Sequence, residues 1–150
     1  MKTALTFLAL SLFASSATAQ PVKLHLFTKP DDGGFVTAES KGRQEILKDV
    51  TKELLKKAKK DIVLANDAAL TVEILGSTSV DISTAETRTS ILGREDHVQA
   101  TLRFGDYTEQ LDVSSSVVGG GILGDRRIEA ETKLAWRIQA WVKDNAAKLK

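Results

Sequence analysis

The chain has no cysteine, only two prolines, few aromatic residues (5%) and almost no excess of either charge. Without cysteine there is no disulfide scaffold, no thiol nucleophile, no zinc–thiolate site and no lipid-anchored N-terminal cysteine. With 21 Lys and Arg against 20 Asp and Glu, the formal charge of +1 gives no global field to draw in DNA or an anionic membrane. Long apolar runs are missing as well: past the N-terminus nothing approaches the ~18 residues needed to span a bilayer. What remains is a 150-residue chain with 42% apolar residues, an ordinary composition for one globular domain.

The N-terminus reads as an export signal. Met1-Lys2 supplies a positive start, Ala4 to Ala14 an apolar run too short to cross a bilayer, and Ala17-x-Ala19 a small-residue cleavage site before Gln20. Residues 1–19 are therefore expected to be a signal peptide and residues 20–150 a single α+β domain, periplasmic or secreted. Losing Lys2 leaves basic and acidic residues balanced at 20 each. A small exported domain without disulfides must close its core by apolar burial alone.

Val22 to Thr28 alternates Val22, Leu24 and Leu26 with Lys23 and His25, the period of a half-buried strand. Lys29-Pro30-Asp31-Asp32-Gly33-Gly34 is turn chemistry. Ile46, Leu47, Val50, Leu54, Leu55 and Ala58 then recur at helical spacing, with Thr37 or Ser40 available to cap the helix. Lys56, Lys57, Lys59 and Lys60 crowd its C-terminal end, where cations offset the helix dipole and carboxylates are interleaved. Ile62-Val63-Leu64 is a short apolar run, and Leu70 to Ile74 alternates as a strand. The Ser/Thr-rich stretch after Gly76 is expected to stay extended to about Thr84, and Ile91 to Asp96 to be a connection. Gly105-Asp106 separates two alternating runs by two residues, the spacing of a hairpin. That register sets Phe104 opposite Tyr107, Leu102 opposite Glu109, Ala100 opposite Leu111 and Val98 opposite Val113, apolar except for Glu109. Val117 to Gly124 reads as a loop, Asp125 as a cap, and Leu134, Ala135, Ile138, Trp141 and Val142 as the apolar stripe of a last helix. The expectation is an antiparallel sheet of about four strands with two helices on one face, in the order β-α-β-β-β-α.

The candidate chemistry is thin. Gly119-x-Gly121-x-x-Gly124 matches the spacing of a dinucleotide fingerprint, but no second parallel strand follows the helix and Asp125 puts a carboxylate where phosphate would sit. A flexible strand-to-helix loop is the better reading, and its apolar residues Val117, Val118, Ile122 and Leu123 leave a partner-contact loop as the second option. His25 and His97 both fall on the polar faces of their strands. With Asp31, Asp32 or Asp96 they could make a two-His, carboxylate metal site, although no compact ligand spacing supports it. Asp31-Asp32 serves the turn's own backbone. No serine lies in a nucleophile elbow. Trp136 falls opposite the last helix's apolar stripe, beside Ala140 and Lys143; either a loop or the Gly76–Ser90 segment folds over it, as large aromatics are usually covered, or it stays exposed and anchors a partner.

The Thr28-Lys29-Pro30-Asp31-Asp32-Gly33-Gly34-Phe35 turn and the Trp141-Val142-Lys143-Asp144-Asn145 end resemble exported bacterial proteins of similar size. The order of elements is similar to the small α+β domains of envelope-assembly proteins, such as the N-terminal domain of the Tol translocation protein TolB and the curli-secretion lipoprotein. In those a long helix leads into a strand through an Ala-Asp pair; here Asp67-Ala68-Ala69-Leu70 takes that place. The resemblance implies a binding or assembly role and no catalytic residues. The expected function is therefore non-enzymatic binding of a protein or envelope component. Trp136, Gly119, Gly121, Ile122, Leu123, Gly124 and the polar sheet face are the contact candidates. No cofactor, nucleic acid, transmembrane segment or lipid anchor is expected. The alternative is a small hydrolase or metal- or ligand-binding domain using His25, His97 and nearby carboxylates.

Overall fold

A computed structural model of the chain describes residues 20–30, 38–82, 93–118 and 129–149. The elements run β1 (Val22–Thr28), α1 (Ala38–Lys57), β2 (Ile62–Leu64), β3 (Leu70–Ile82), β4 (Gly93–Phe104), β5 (Tyr107–Val118) and α2 (Ala130–Asp144). The class is α+β, as the sequence implies. The sheet differs from the expectation: it has five strands in the order β2-β1-β3-β4-β5 and is mixed, with β1 parallel to both β2 and β3. The extra strand is Ile62–Leu64, three residues long and so too short to show any period. Parallel pairing follows from α1, which returns the chain to the starting end of β1 and forces a crossover.

The strands alternate because one face is dry. Leu24, Leu70, Val72, Ile74, Val98, Ala100, Leu102 and Leu111 are buried beneath the helices. α1 contributes Ile46, Val50 and Leu54, with Ala58 just past its end, and α2 contributes Ala130, Leu134, Ala135, Ile138 and Val142, largely at steps of three and four. Leu55, expected in the apolar face of α1, is instead 47% exposed. At 100° per residue it lies well round the helix from the Val50–Leu54 line, beyond reach of the sheet.

The β4–β5 hairpin has the register read from the sequence, from Phe104↔Tyr107 to Val98↔Val113. Gly105 has φ +56° while Asp106 has a negative φ, the pattern of a type II′ turn with glycine first, whose twist matches the strands it joins. Both strands run further than expected. β4 begins at Gly93, inside the stretch read as a connection, and β5 continues to Val118, past the expected start of the loop. Along β3 the register slips between Ile74 and Gly76. Gly76 takes up the bulge at φ +148°, and Leu75 is left 41% exposed. Beyond the bulge the alternation is inverted, so Gly76 and Thr78 join the open face with Gln99 and His97. Ser40 lies inside α1 and so does not cap it, and Thr37 is outside the described residues. α2 starts at Ala130 after Glu129, which gives no side-chain cap; Asp125, read as the cap, lies outside the described residues.

Candidate functional site

The sheet face away from the helices is polar but not uniformly wet. Its rows follow from the register: His25, Thr71, Arg103 and Thr108 in one, Phe27, Glu73, Thr101 and Gln110 in the next. His25 and Phe27, two apart on β1, stack with ring centroids 4.8 Å apart. Beside them Glu73 is almost fully covered, its side chain 4% exposed. Its Oε2 accepts a hydrogen bond from Arg103 Nη1 at 3.3 Å, and its Oε1 lies 3.5 Å from Lys29 Nζ. Thr101, also buried, donates its hydroxyl to Gln110 Oε1 at 3.0 Å. These groups satisfy one another within the sheet, as a buried carboxylate and hydroxyl must.

A second polar group lies further along the same face. His97 Nδ1 is 3.1 Å from Asp112 Oδ1, and its Nε2 is 3.6 Å from Glu95 Oε1. Asp112 also accepts from Gln99 at 3.2 Å. The hydrogen bonds from His97, then Gln99, hold the Asp112 carboxyl below its ordinary value. The two carboxylates address opposite ring nitrogens, so they do not converge on one point beside the ring. Among the described residues no three His, Asp or Glu side chains are grouped to hold a metal ion. His25 and His97 share the face but not a site. His25 lies in the row of Arg103, and His97 is six residues away along β4, about 20 Å at ~3.3 Å per residue.

The helical layer carries the exposed aromatic. Trp136 is 43% exposed on the side of α2 opposite Leu134, Ile138 and Val142, with Ala140 and Lys143 exposed near it. On the flank over β5, Tyr107 donates its hydroxyl to Glu109 Oε2 at 2.6 Å, and Arg137 Nη2 donates to Glu109 Oε1 at 3.2 Å. The Tyr107 and Trp141 rings meet at 5.8 Å in a tilted pair. The Tyr107 hydroxyl, with Arg137 in support, holds the Glu109 carboxyl below its ordinary value, and the same bond raises that of Tyr107. Sequence reasoning did not find this cluster, although a charged residue on an otherwise apolar hairpin face was its signal.

Gly119, Gly121, Ile122, Leu123 and Gly124 lie outside the described residues, as do Asp31 and Asp32. Of the candidates, the structure thus places Trp136 in the open and sets the two histidines apart. No protein-family model matches the chain, and no curated protein matches it in sequence.

Proposed function

We propose that this protein is an exported, non-enzymatic binding domain that contacts a protein or another envelope component through the outer face of α2, with Trp136 as the anchor. The carrying observation is the position of Trp136. A large aromatic side chain stays 43% exposed on a helix whose opposite side buries five residues, and it makes no ring contact with the described residues. Tryptophan is among the residue types enriched at the energetic centres of interfaces. Glu73, His97 and Asp112 of the sheet face, in contrast, are already engaged with neighbouring polar side chains. The export signal read at residues 1–19 supports a periplasmic or secreted location, and the resemblance to small envelope-assembly domains supports an assembly role.

The test is cross-linking in the exporting cell. A photoreactive residue at position 136 is expected to yield a defined adduct on protein recovered outside the cytoplasm with Gln20 as its first residue. The same residue at Lys52, exposed on α1, is the control. Trp136→Ala is expected to remove the partner from the purified protein while leaving the thermal midpoint unchanged. Adducts of equal yield at both positions, or none at 136, refute the reading.

A further inference from the structure

The sheet ends in two unlike edges. At one, β2 is three residues long, too short to template another strand. At the other, β5 runs for 12 residues, about twice the usual length of a strand. It pairs with β4 without a register shift and contains no proline, lysine or arginine, so none of these devices for blunting an edge lies within it. The two-residue Gly105-Asp106 turn makes Phe104 and Tyr107 a mutually hydrogen-bonded pair, which turns the backbone of Tyr107, Glu109, Leu111 and Val113 toward β4. The N–H and C=O groups of Thr108, Gln110, Asp112 and Ser114 therefore point out of the sheet. Among the described residues no strand meets them. Lys133 Nζ donates to the Ser114 carbonyl at 2.6 Å from the open side, and that oxygen keeps a second lone pair.

We infer that this edge pairs with the same edge of a second copy of the chain, antiparallel about Leu111, joining the two sheets into one. Charge complementarity chooses this occupant. The hairpin end of the edge carries Asp106 and Glu109, and the far end holds Lys133 at Ser114. Glu109 already takes Arg137, whereas Asp106 forms no ion pair with a described residue. Pairing about Leu111 sets Ser114 opposite the partner's Thr108, so each Lys133 comes to the acidic end of the other copy, twice by symmetry. It also sets Gln110 opposite the partner's Asp112. The Gln110 oxygen accepts from Thr101, which leaves its amide N–H groups to donate to that carboxylate, 52% exposed in the single chain. A two-fold placed at Asp112 would instead set two carboxylates face to face. The pairing uses backbone groups at the rim, so the bonds of Glu73 and His97 stay in place. Trp136, on the side of α2 away from the sheet, takes no part, and the pairing goes beyond the role proposed for it.

The experiment is sedimentation equilibrium of the exported protein, expected to approach twice the chain mass as concentration rises. A single-chain mass even at about 1 mM overturns the inference. Gln110→Pro removes an outward N–H that β4 does not use, and is expected to raise the dissociation constant about tenfold or more, two hydrogen bonds being lost per pair. Circular dichroism checks that it is folded. Because the chain has no cysteine, a second test has no background. Thr108→Cys mixed with Ser114→Cys is expected to form the mixed disulfide faster than either variant forms one with itself, and equal rates overturn the pairing. Lys133→Gln is expected to weaken the pair several-fold; equal or stronger pairing would make Lys133 a guard that keeps the edge single, and overturns it too. Trp136→Ala is expected to leave the dimer intact. Loss of the dimer in that variant moves the self-contact to the outer face of α2 and refutes edge pairing, while a lost cross-link at 136 with the dimer intact refutes only the role of Trp136.

Discussion

Removing the guanidinium that faces Glu73 tests whether the polar sheet face is held by its own charges. The Glu73 side chain is 4% exposed, but Arg103 is 50% and Lys29 75% exposed. Breaking a fully buried ion pair costs about 3–5 kcal/mol, because the remaining charge is stranded. Exposed pairs contribute about 0–1 kcal/mol. Here the carboxylate has lost its water while the cations have kept much of theirs, so the pair falls between these limits. Arg103→Met keeps the aliphatic cover over Glu73 and removes the hydrogen bond at 3.3 Å, leaving only Lys29 at 3.5 Å. Its expected cost is about 1–2 kcal/mol near neutral pH. Glu73→Gln removes the charge instead, and the double variant is expected to cost about 1 kcal/mol less than the two single costs added. Urea unfolding of the four proteins at low salt, followed by circular dichroism, measures this coupling. A cost for Arg103→Met under about 0.3 kcal/mol, or strictly additive costs, would show that the carboxylate does not depend on its cations, and the account of this face would fail.

Two other expectations follow from single positions. Gly76→Ala puts a Cβ into nearly open space, the nearest atom being Arg43 Cγ at 4.0 Å, so its cost is backbone strain at φ +148°. That cost is expected to be about 1–3 kcal/mol in thermal or urea unfolding, and a neutral variant would mean that the bulge is not held at Gly76. Glu109 has its carboxyl lowered by the Tyr107 hydroxyl and Arg137, so its contribution to stability is complete above the ordinary glutamate range and is lost as pH falls through its native value. The stability advantage of wild type over Glu109→Gln is therefore expected to shrink on acidification below about pH 5, and a difference in thermal midpoint that is flat with pH would sink the assignment.

What could be read from the sequence tracks how one-sided each element is. The β4–β5 hairpin was legible residue by residue because Val98, Ala100, Leu102 and Leu111 meet the helices while Gln99, Thr101, Gln110 and Asp112 do not. Beyond Gly76 that contrast fades. Ser77, Thr78 and Ser79 are all exposed, so alternation has no burial to report, and the bulge inverts what is left of it. β2 reads in the sequence only as a short apolar run, for another reason. Its assignment rests on hydrogen bonds to β1, with Val22 opposite Ile62 and Leu24 opposite Leu64, and three apolar residues carry no trace of such a partner. Leu55 shows the limit of helical spacing, which finds an apolar arc but not where the sheet beneath it ends.

The same distinction divides the candidate site. Trp136 could be placed from α2 alone, since three- and four-residue steps fix which side of a helix faces the core. Glu73 could not. As one polar residue in an alternating strand it reads as solvated, and its burial arises only once β1, β3 and β4 bring Phe27, Lys29 and Arg103 around it. That non-local packing also decides what each surface has left to offer. On the sheet face Glu73, Thr101, His97 and Asp112 already hold partners, and a ligand would have to break those bonds before making its own. On the helical layer Trp136 has no ring partner and Lys56, Lys57, Lys59 and Lys60 have no ion pair among the described residues. A partner meeting that layer gains contacts without displacing any, which favours binding through the helices over binding through the polar sheet.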